Sequence, residues 1–421
     1  MARLVYDKTG RLLFTREMKK EYTLLMPQML PVAFGIVCQF LRHEGYKVDM
    51  LMTDHRGIVE EGQKYVHNDT CYPALLVIGQ LIDAIRSGKY DPHKVALLIT
   101  QTGGGCRASN YIHLLRKALA KAGFAYVPVV SVSFGVEKNP GFTFSLRIMR
   151  ALLFAAFYGD VITSLANQVR PYEREAGAAD RALRRWADVI SEDFGRGQRM
   201  DRASFRATVS EIATEFAAIP VDESVRKTKV GIVGEIYVKF APLGNNHLEE
   251  FLQREECEVV VPGVADFLLF KVYNRISDRA LYGGGWLKSV FCRWMLGYME
   301  KYQDTVIEVL GKTRFRTPAR FDETRKLAAK YLGVGNKMGE GWLLTAEMLE
   351  LIHTGVPNIV CAQPFGCLPN HIVGKGMIRP LKDDYPDSNI VAIDYDPSAT
   401  AINQENRIKL MLANARTSAA R

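Results

Sequence analysis

The feature that most restricts how this chain folds is the alternation of short apolar runs with longer segments of helical periodicity. The first apolar runs, each the length of one strand, are residues 23–26, 48–52, 95–100 and 127–133. The helical patterns between them are residues 32–42, 73–87 and 107–120, with a loop rich in His, Arg and Gly before the second of these. Strands that alternate with helices in this way predict a parallel sheet built from βαβ units. A hairpin with its turn at residues 8–10 is expected before this sheet.

The remainder of the chain repeats this pattern after a change of character. Residues 144–218 read as long helices interrupted near Gly177 and Gly195, and the α/β pattern restarts at residues 230–238. The later expected elements are helices at 247–254, 342–353, from 370, and 401–414, strands at 257–261, 358–361 and 389–394, and a helical stretch at 264–332. We therefore predict an α/β fold with two Rossmann-like parallel-sheet domains and helical inserts. The expected division is 1–143, a helical segment at 144–228, and 229–421 with its insert at about 264–332.

Composition and charge exclude several classes of protein. The longest apolar run falls short of the ~18 residues that cross a bilayer, and the N-terminal residues lack the apolar core of a secretory signal. A cytoplasmic protein without a membrane partner is expected. The net charge of +9, from 55 Lys+Arg against 46 Asp+Glu, is diffuse. It is compatible with an anionic ligand but does not predict a nucleic-acid partner.

Three of the seven cysteines lie at positions where parallel sheets bind their ligands. Cys71 opens a predicted helix, whereas Cys106 and Cys367 lie between a predicted strand and the following helix. Ligands of open α/β sheets gather in the crevice beyond the carboxyl ends of the strands. We therefore expect the three sulfurs to converge within a few ångströms in one crevice between the two domains.

Cysteines at helix N-termini are expected to have a lowered pKa, and several thiolates in one crevice need a cation to hold them. Iron and zinc are the natural choices. Gly103, Gly104 and Gly105 would let backbone N–H groups approach cluster sulfides or a phosphate, although a tight turn also explains them. Short C-x₂₋₄-C knuckles, typical of structural zinc, are absent from the sequence. The wide spacing therefore favours an iron–sulfur cluster, and a structural zinc protein remains an alternative.

The other cysteines and motifs carry less chemistry. Cys38, Cys257 and Cys292 lie within predicted helices or strands, or directly beside them, and are expected to be buried, inert thiols. Cys361 ends a predicted strand, and its side chain is expected either in the core or at the crevice. The sequence contains no G-x-x-x-x-G-K-[ST] and no complete G-x-G-x-x-G motif, so ATP binding by a P-loop is not expected.

Residues 68–80 (NDTCYPALLVIGQ), 100–111 (TQTGGGCRASNY) and 363–371 (QPFGCLPNH) resemble motifs of the 2-hydroxyacyl-CoA dehydratase superfamily. The branch associated with an ATP-dependent activase is the most similar, and residues 229–237 (KVGIVGEIY) and 245–246 (NN) also resemble it. The resemblance covers most of the chain. It implies Rossmann-like domains that hold a 4Fe-4S cluster on three cysteines, with one iron open. A cousin branch of this superfamily carries a double-cubane cluster on six cysteines and reduces small molecules, so a double-cubane-type reductase is a further alternative.

By motif, the resemblance implies Cys71, Cys106 and Cys367 as the cluster ligands, with Cys361 as a fourth or alternative ligand. It implies a separate ATP-dependent activase as electron donor and an acyl-CoA or another small molecule as substrate, in dehydration or reduction. A non-catalytic iron–sulfur protein that carries electrons or forms a scaffold is the main alternative, and a dimer is left open. Because four cysteines at most are candidates, we predict a single cubane with about four irons.

Further residues near the expected crevice are candidates for the chemistry. Gly103, Gly104, Gly105 and Arg107 follow a strand and are assigned to cofactor binding. Gln101, Glu235 and His371 are assigned to substrate positioning or proton transfer. For each of these three, a helix cap or a structural hydrogen bond is the competing interpretation. A histidine shortly after a ligand cysteine is the best of these candidates.

Overall fold

A computed structural model describes residues 2–67, 69–100, 105–132 and 137–419. Its strands, in chain order, are β1 Val5–Tyr6, β2 Leu12–Leu13, β3 Thr23–Pro27, β4 Lys47–Leu51, β5 Val95–Thr100, β6 Val129–Val132, β7 Lys229–Gly234, β8 Glu258–Val260, β9 Asn358–Pro364 and β10 Asn389–Tyr395. The short pair β1–β2 is the predicted antiparallel hairpin. The other described strands form two four-stranded sheets with parallel pairing throughout. The predicted α/β class is therefore confirmed.

The helices occupy most of the remaining chain. Those of the first half are α1 Arg16–Glu21, α2 Pro31–His43, α3 Arg56–Tyr65, α4 Tyr72–Arg86, α5 Tyr111–Ala122, α6 Leu146–Val169, α7 Ala178–Gly195 and α8 Arg202–Ala218. Those of the second half are α9 Ile236–Phe240, α10 Pro242–Asn245, α11 Leu248–Arg254, α12 Val264–Tyr282, α13 Trp286–Leu310, α14 Phe321–Ala328, α15 Trp342–His353, α16 Leu368–Val373, α17 Ile378–Asp384 and α18 Ala401–Ala419. Short 3₁₀ turns at Pro92–Lys94, Arg107–Asn110 and Lys375–Met377 join some of them.

The two sheets have the same topology. Their strand orders are β4-β3-β5-β6 and β10-β9-β7-β8, so the chain starts each sheet at a central strand and then builds outward on both sides. The direction of winding changes between β3 and β5 in the first sheet and between β7 and β9 in the second. Such a switch leaves an open crevice beyond the carboxyl ends of the two central strands. Each sheet therefore has one position suited to a ligand.

Alternating side chains bury both faces of each sheet. On β3, Leu24 and Met26 pack into a core with α2 and α6–α8, whereas Leu25 packs on the opposite face. The cluster that contains Leu25 also contains Val230 and Val360 of the second sheet. A single apolar core, which includes α4, thus lies between the sheets and holds their carboxyl edges in fixed positions.

Helix α3 corrects the prediction from sequence, because its residues were expected to form a loop. Its glycines suggested a loop, yet Gly62 is where α3 crosses α4. A Cβ atom on Gly62 would lie 2.4 Å from the Leu75 carbonyl oxygen, and one on Gly79 would lie 2.2 Å from the Ile58 carbonyl oxygen. The two glycines therefore allow close helix packing instead of breaking the helix.

Two further boundaries differ from the predicted ones. Residues 230–238 were expected to form one element, but they divide after Gly234 into β7 and α9. The division occurs because the Glu235 side chain caps α9 by accepting a hydrogen bond from Val238 N at 3.0 Å. Strand β9 continues beyond Cys361 to Pro364, and α16 then begins at Leu368. The extension of β9 moves Cys361 away from the strand end.

Helix α6 is long and apolar enough by composition to cross a membrane, although the sequence analysis counted no such run. In the fold, 61% of its most apolar 18-residue window is buried. Its half-buried Asp160 carboxylate accepts hydrogen bonds from Val264 N at 3.0 Å and Ala265 N at 2.8 Å, which caps α12. These contacts are those of a core helix.

Candidate functional site

A cavity of about 540 Å³ opens between the carboxyl edges of the two sheets. Four of the residues that line it come shortly after the central strands. They are Gln28 after β3, Cys106 after β5, Glu235 after β7 and Cys367 after β9. The switch points of both sheets thus contribute to the same cavity, where ligand binding in α/β folds is expected.

Cys71 enters this cavity from the start of α4, where it is the N-cap residue, and it also lines the wall. Its Sγ atom lies 3.0 Å from the hydroxyl of Tyr111, the first residue of α5. The loop that precedes α5 carries Cys106. The hydrogen bond therefore links the segment of one cysteine to the helix that follows another.

The loop that carries Cys367 packs directly against Cys71. Tyr72 N donates a hydrogen bond to the carbonyl oxygen of Phe365 at 2.9 Å. Gly366 has a φ of +72°, and a Cβ atom there would lie 3.1 Å from the Cys71 Cα atom. Both the left-handed backbone and the close approach favour glycine at this position. Cys367 itself is the N-cap residue of α16.

Cys106 is the N-cap residue of the 3₁₀ turn Arg107–Asn110, which leads into α5. Its carbonyl oxygen accepts hydrogen bonds from Ser109 N at 3.1 Å and Ser109 Oγ at 2.7 Å. The adjacent Gly105 lies against Met338, and a Cβ atom on Gly105 would come within 2.4 Å of the Met338 Sδ atom. The Cys106 segment thus packs against the loop before α15.

The thiols of Cys71 and Cys367 do not have the lowered pKa that helix N-termini suggested. Burial raises the pKa of Cys71, and nearby Glu235 and Cys106 add to the effect. Burial also raises the pKa of Cys367, with contributions from Glu340 and Glu235. That expectation is wrong for these two thiols, because loss of solvation outweighs the helix dipole in an apolar cavity that also contains carboxyl groups.

Two carboxyl groups line the cavity, of which Glu340 is buried and Glu235 is half-buried. Glu340 Oε1 accepts a hydrogen bond from Ile236 N at 3.0 Å. In its satisfied orientation, the Asn370 amide donates to Glu340 Oε2 at 3.2 Å and accepts from Glu235 N at 2.7 Å. Burial, and then the charge of Glu340, raises the pKa of Glu235 to about 8. Glu235 therefore carries a proton at neutral pH, which suits a group that donates one.

A lysine side chain lies on the same wall of the cavity. Lys271 of α12 lines the cavity, and its Nζ atom donates a hydrogen bond to the Gly339 carbonyl oxygen at 2.8 Å. Burial lowers the pKa of Lys271, while Glu340 and Cys106 act in the opposite direction. Lys271 can therefore provide a positive charge to an anionic or carbonyl oxygen of a bound molecule.

Two buried polar atoms of the lining have no hydrogen-bond partner within the described ranges. They are Gln28 Oε1 and the Tyr237 hydroxyl. Buried polar groups are nearly always hydrogen-bonded in folded proteins. Unpaired atoms on a cavity wall are therefore consistent with a ligand that supplies the missing partners.

The three cysteines of the cavity are candidates for holding a metal group. Among the described residues, no group of three or more His, Cys, Asp or Glu side chains is close enough to hold one metal ion. Sulfurs around a single zinc would lie about 4 Å apart. The three cysteines do line one cavity, and the convergence of their sulfurs to a few ångströms stays a prediction. A cubane binds its cysteines through separate irons, so its ligands stand further apart than those of a single ion.

The other four cysteines lie elsewhere. Cys38, Cys257 and Cys361 are each less than 4% exposed and belong to three different apolar clusters. Cys292 is buried on α13. None of the four is among the described residues that line the cavity. Burial raises the pKa of Cys361 to about 12, as expected for an inert core thiol.

The remaining predicted site residues divide into three groups. Gly105 and Arg107 line the cavity, with Arg107 exposed at its mouth. His371 is exposed on α16 and is not part of the described lining. Gln101, Gly103 and Gly104 lie outside the described residues.

Sequence reasoning missed three polar residues of the cavity, namely Tyr111, Lys271 and Glu340. Tyr111 stands at the end of a motif already noted, so its position near Cys106 was a signal. Lys271 and Glu340 belong to segments far from any cysteine motif. Only the fold brings them to the cavity.

Two comparisons with known proteins found no match for this chain. No family model matches the chain, and no curated protein matches its sequence. The function therefore has to be argued from the geometry of the cavity and from the motifs that form it.

Proposed function

We propose that the chain holds one 4Fe-4S cluster on Cys71, Cys106 and Cys367 and is a cytoplasmic iron–sulfur enzyme component of the 2-hydroxyacyl-CoA dehydratase type. The observation that carries this proposal is the meeting of three cysteines, distant in sequence, on one cavity at the switch points of two parallel sheets. Each of the three is an N-cap residue, so each thiol is presented by a helix start.

Cluster size follows from the cysteine inventory. A double cubane takes six cysteine ligands, whereas only three of the described residues that line the cavity are cysteines. A single cubane held by Cys71, Cys106 and Cys367 would supply a low-potential electron and Lewis acidity at its open iron. Cys361 is not required as a ligand, because its side chain lies in the core behind β9.

The chain's own residues have separable tasks in this proposal. Lys271 Nζ holds an oxygen of the substrate and balances its negative charge. Glu235 holds a proton on Oε1, because Oε2 accepts the hydrogen bond from Val238 N. Glu340 and Asn370 fix the position of Glu235. These groups allow loss of a hydroxyl as water, for which one proton has to be delivered to the leaving oxygen.

The size and polarity of the cavity favour an enzyme over a simple electron carrier. A carrier needs a cluster close to the surface and gains nothing from a proton donor and a cation beside it. The apolar walls, with Phe34, Phe267 and Val77 among them, exclude water and suit the carbon chain of an acyl-CoA or another small substrate. Electrons are proposed to come from a separate ATP-dependent activase, because the sequence has no P-loop.

Anaerobic reconstitution with iron and sulfide tests the proposal. The expected protein is brown, contains about four irons per chain and gives the electron paramagnetic resonance signal of a reduced cubane. A colourless protein that binds zinc instead would contradict the proposal. Stoichiometric binding of ATP to the isolated chain would contradict the need for a separate activase.

A second measurement separates catalysis from electron transfer. Acyl-CoA added to the reduced protein is expected to change the resonance signal, because the substrate would bind in the cavity that holds the cluster. Lys271→Ala should weaken this change, whereas Lys409→Ala, at an exposed position of α18, should not. A signal that no acyl-CoA alters, in a protein that still passes electrons, would favour the non-catalytic alternative.

A further inference from the structure

The hairpin formed by α12 and α13 carries a large exposed apolar surface. We call its members the tip surface, and each is between 46% and 69% exposed: Leu281, Tyr282, Trp286, Leu287, Val290, Phe291 and Trp294. Three glycines, 283–285, join the two helices at its centre. Isolated apolar residues are common on protein surfaces, whereas a contiguous patch with two tryptophans marks an interaction site.

Helix α13 shows that this surface is organised. Ser289, Cys292 and Met299 face the core at helical spacing, while the apolar residues of the tip surface occupy the opposite side. The exposed side is also ordered, since Phe291 stacks on Trp294 at 6.0 Å and Trp294 stacks on Tyr298 at 5.9 Å between ring centroids. A helix that is apolar on both sides packs against a second partner on its free side.

The tip surface continues to the mouth of the cavity. A Cβ atom on Gly335 would lie 3.7 Å from both Leu281 and Tyr282, and the Lys337 Nζ atom lies 5.0 Å from the centre of the Tyr282 ring. Gly335 and Met338 line the cavity, and Met338 is 44% exposed. A molecule seated on the tip surface would therefore touch the rim of the site.

The charge around the tip surface indicates what binds there. Residues 279–299 contain Arg279, Lys288 and Arg293 and no Asp or Glu. Within the described part of the chain, none of these three cations forms an ion pair; Arg293 donates a hydrogen bond to Ser289 Oγ at 3.4 Å. An apolar centre with a cationic border fits an apolar surface with an acidic border. Two copies meeting through this surface would place like charges together.

We propose that the tip surface is the docking site of an acidic protein partner. This inference rests on the proposed function, and it assigns that partner as the protein that delivers the electron to the cavity. The continuity between the tip surface and the cavity rim favours such a protein, because docking there brings the donor close to the acceptor. An anionic membrane and a second copy of the chain become outcomes of the test.

The test compares variants in ATP-dependent reduction of the reconstituted protein by anaerobic extract of the source cells. Lys288→Glu with Arg293→Glu is expected to slow this reduction about tenfold at low salt, since the cations steer association. Trp286→Gln with Trp294→Gln is expected to slow it at all salt concentrations. Matched controls, Arg184→Glu on α7 and Leu410→Gln on α18, should leave the rate unchanged.

Reduction by titanium(III) citrate separates docking from the cluster itself. This small reductant should act on all variants at the wild-type rate. If the extract reduces the tip variants as fast as the wild type, the proposed docking site is wrong. It is also wrong if the extract with ATP does not reduce an iron-loaded wild type. A wild type without iron would instead overturn the proposed function.

Two other occupants give distinct results. The wild type could bind phosphatidylglycerol vesicles while the tip variants do not, with reduction by the extract unaffected in all of them. That result would assign the surface to a membrane and contradict the proposal. Analytical ultracentrifugation could show a dimer for the wild type and a monomer for the tryptophan variants, again with unaffected reduction. That result would assign the surface to a second copy of the chain and also contradict the proposal.

Discussion

Cys361 and Cys367 are six residues apart, yet the structure puts them in different surroundings. Cys361 lies in the middle of β9, is fully buried and packs in an apolar cluster with Val233 and Leu344. Cys367 follows the end of the same strand and lines the cavity at the start of α16. The difference shows that the carboxyl end of a strand, rather than proximity in sequence, decides which cysteine is available for chemistry.

The largest expected effect separates these two cysteines directly. Cys367→Ser should reduce the iron content of reconstituted protein from about four per chain to near zero, because a cubane is not retained on two thiolates. Cys71→Ser and Cys106→Ser should do the same. Cys361→Ser is the matched control and should keep about four irons. A Cys361 variant that loses iron while the Cys367 variant keeps it would reverse the comparison.

The carboxyl groups of the cavity and core predict how stability depends on pH. Burial raises the pKa of Glu235 to about 8, of Glu347 to about 7 and of Asp160 to about 6. These groups hold their protons in the folded chain and release them near pH 4.5 or below when unfolded. The free energy of unfolding should therefore fall as pH rises from about 5 to about 8, by at most about 1.4 kcal/mol per pH unit for each group.

Denaturant unfolding at several pH values measures this slope. Glu235→Gln should flatten it, most clearly between pH 7 and 8, where the other two groups contribute less. Glu60→Gln, at an exposed carboxylate of α3, should leave the slope unchanged. Stability that rises over this range would show that the cavity carboxyl groups are charged in the folded chain.

Gly366 offers a test of how closely the Cys367 loop approaches Cys71. Gly366→Ala places a side chain at positive φ and 3.1 Å from the Cys71 Cα atom. Gly355→Ala is the matched control, since its φ is +77° but nothing lies within 4 Å of its Cβ position. The control should lose about 1 kcal/mol of stability and bind iron normally. Gly366→Ala should lose about 2 kcal/mol and bind less iron.

Equal stability losses in the two glycine variants, together with equal iron content, would contradict the close contact between these loops. Thermal or denaturant unfolding gives the first quantity, and metal analysis gives the second.

The smallest effect is expected at Tyr111. Tyr111→Phe removes the hydroxyl 3.0 Å from the Cys71 Sγ atom and should cost about 0.5–1.5 kcal/mol of stability. It should also speed the loss of iron to a chelator, because the thiol loses a contact that positions it. Tyr385→Phe, whose hydroxyl contacts His353 near the surface, is the control and should not alter iron loss. No difference between the two variants would remove Tyr111 from the site.

Much of the fold could be predicted from the sequence, because apolar runs of strand length alternate with helical periodicity. The helix α3 could not, since Gly57 and Gly62 signal a loop locally and only the contact with α4 explains Gly62. A helix cap was the competing interpretation for Glu235, and the structure does place its half-buried carboxyl as the cap of α9, directly after β7.

The site was predictable where chemistry and strand ends coincide in the sequence. Cys106 and Cys367 follow strands, and Cys71 starts a helix that packs beside them. His371 was misleading, because one turn of α16 carries it from the cavity to the exposed side. Lys271 and Glu340 could not be found, since Lys271 lies on α12, Glu340 lies between α14 and α15, and neither belongs to a cysteine motif.

The central claim is that one iron cluster lies in the cavity between the two sheets. Crystals of anaerobically prepared protein, measured at the iron absorption edge, test it most directly. The account predicts one anomalous peak of about four irons within bonding distance of the Cys71, Cys106 and Cys367 Sγ atoms, and none near Cys361. Iron bound elsewhere, or a fully reconstituted protein with no iron in this cavity, would contradict it.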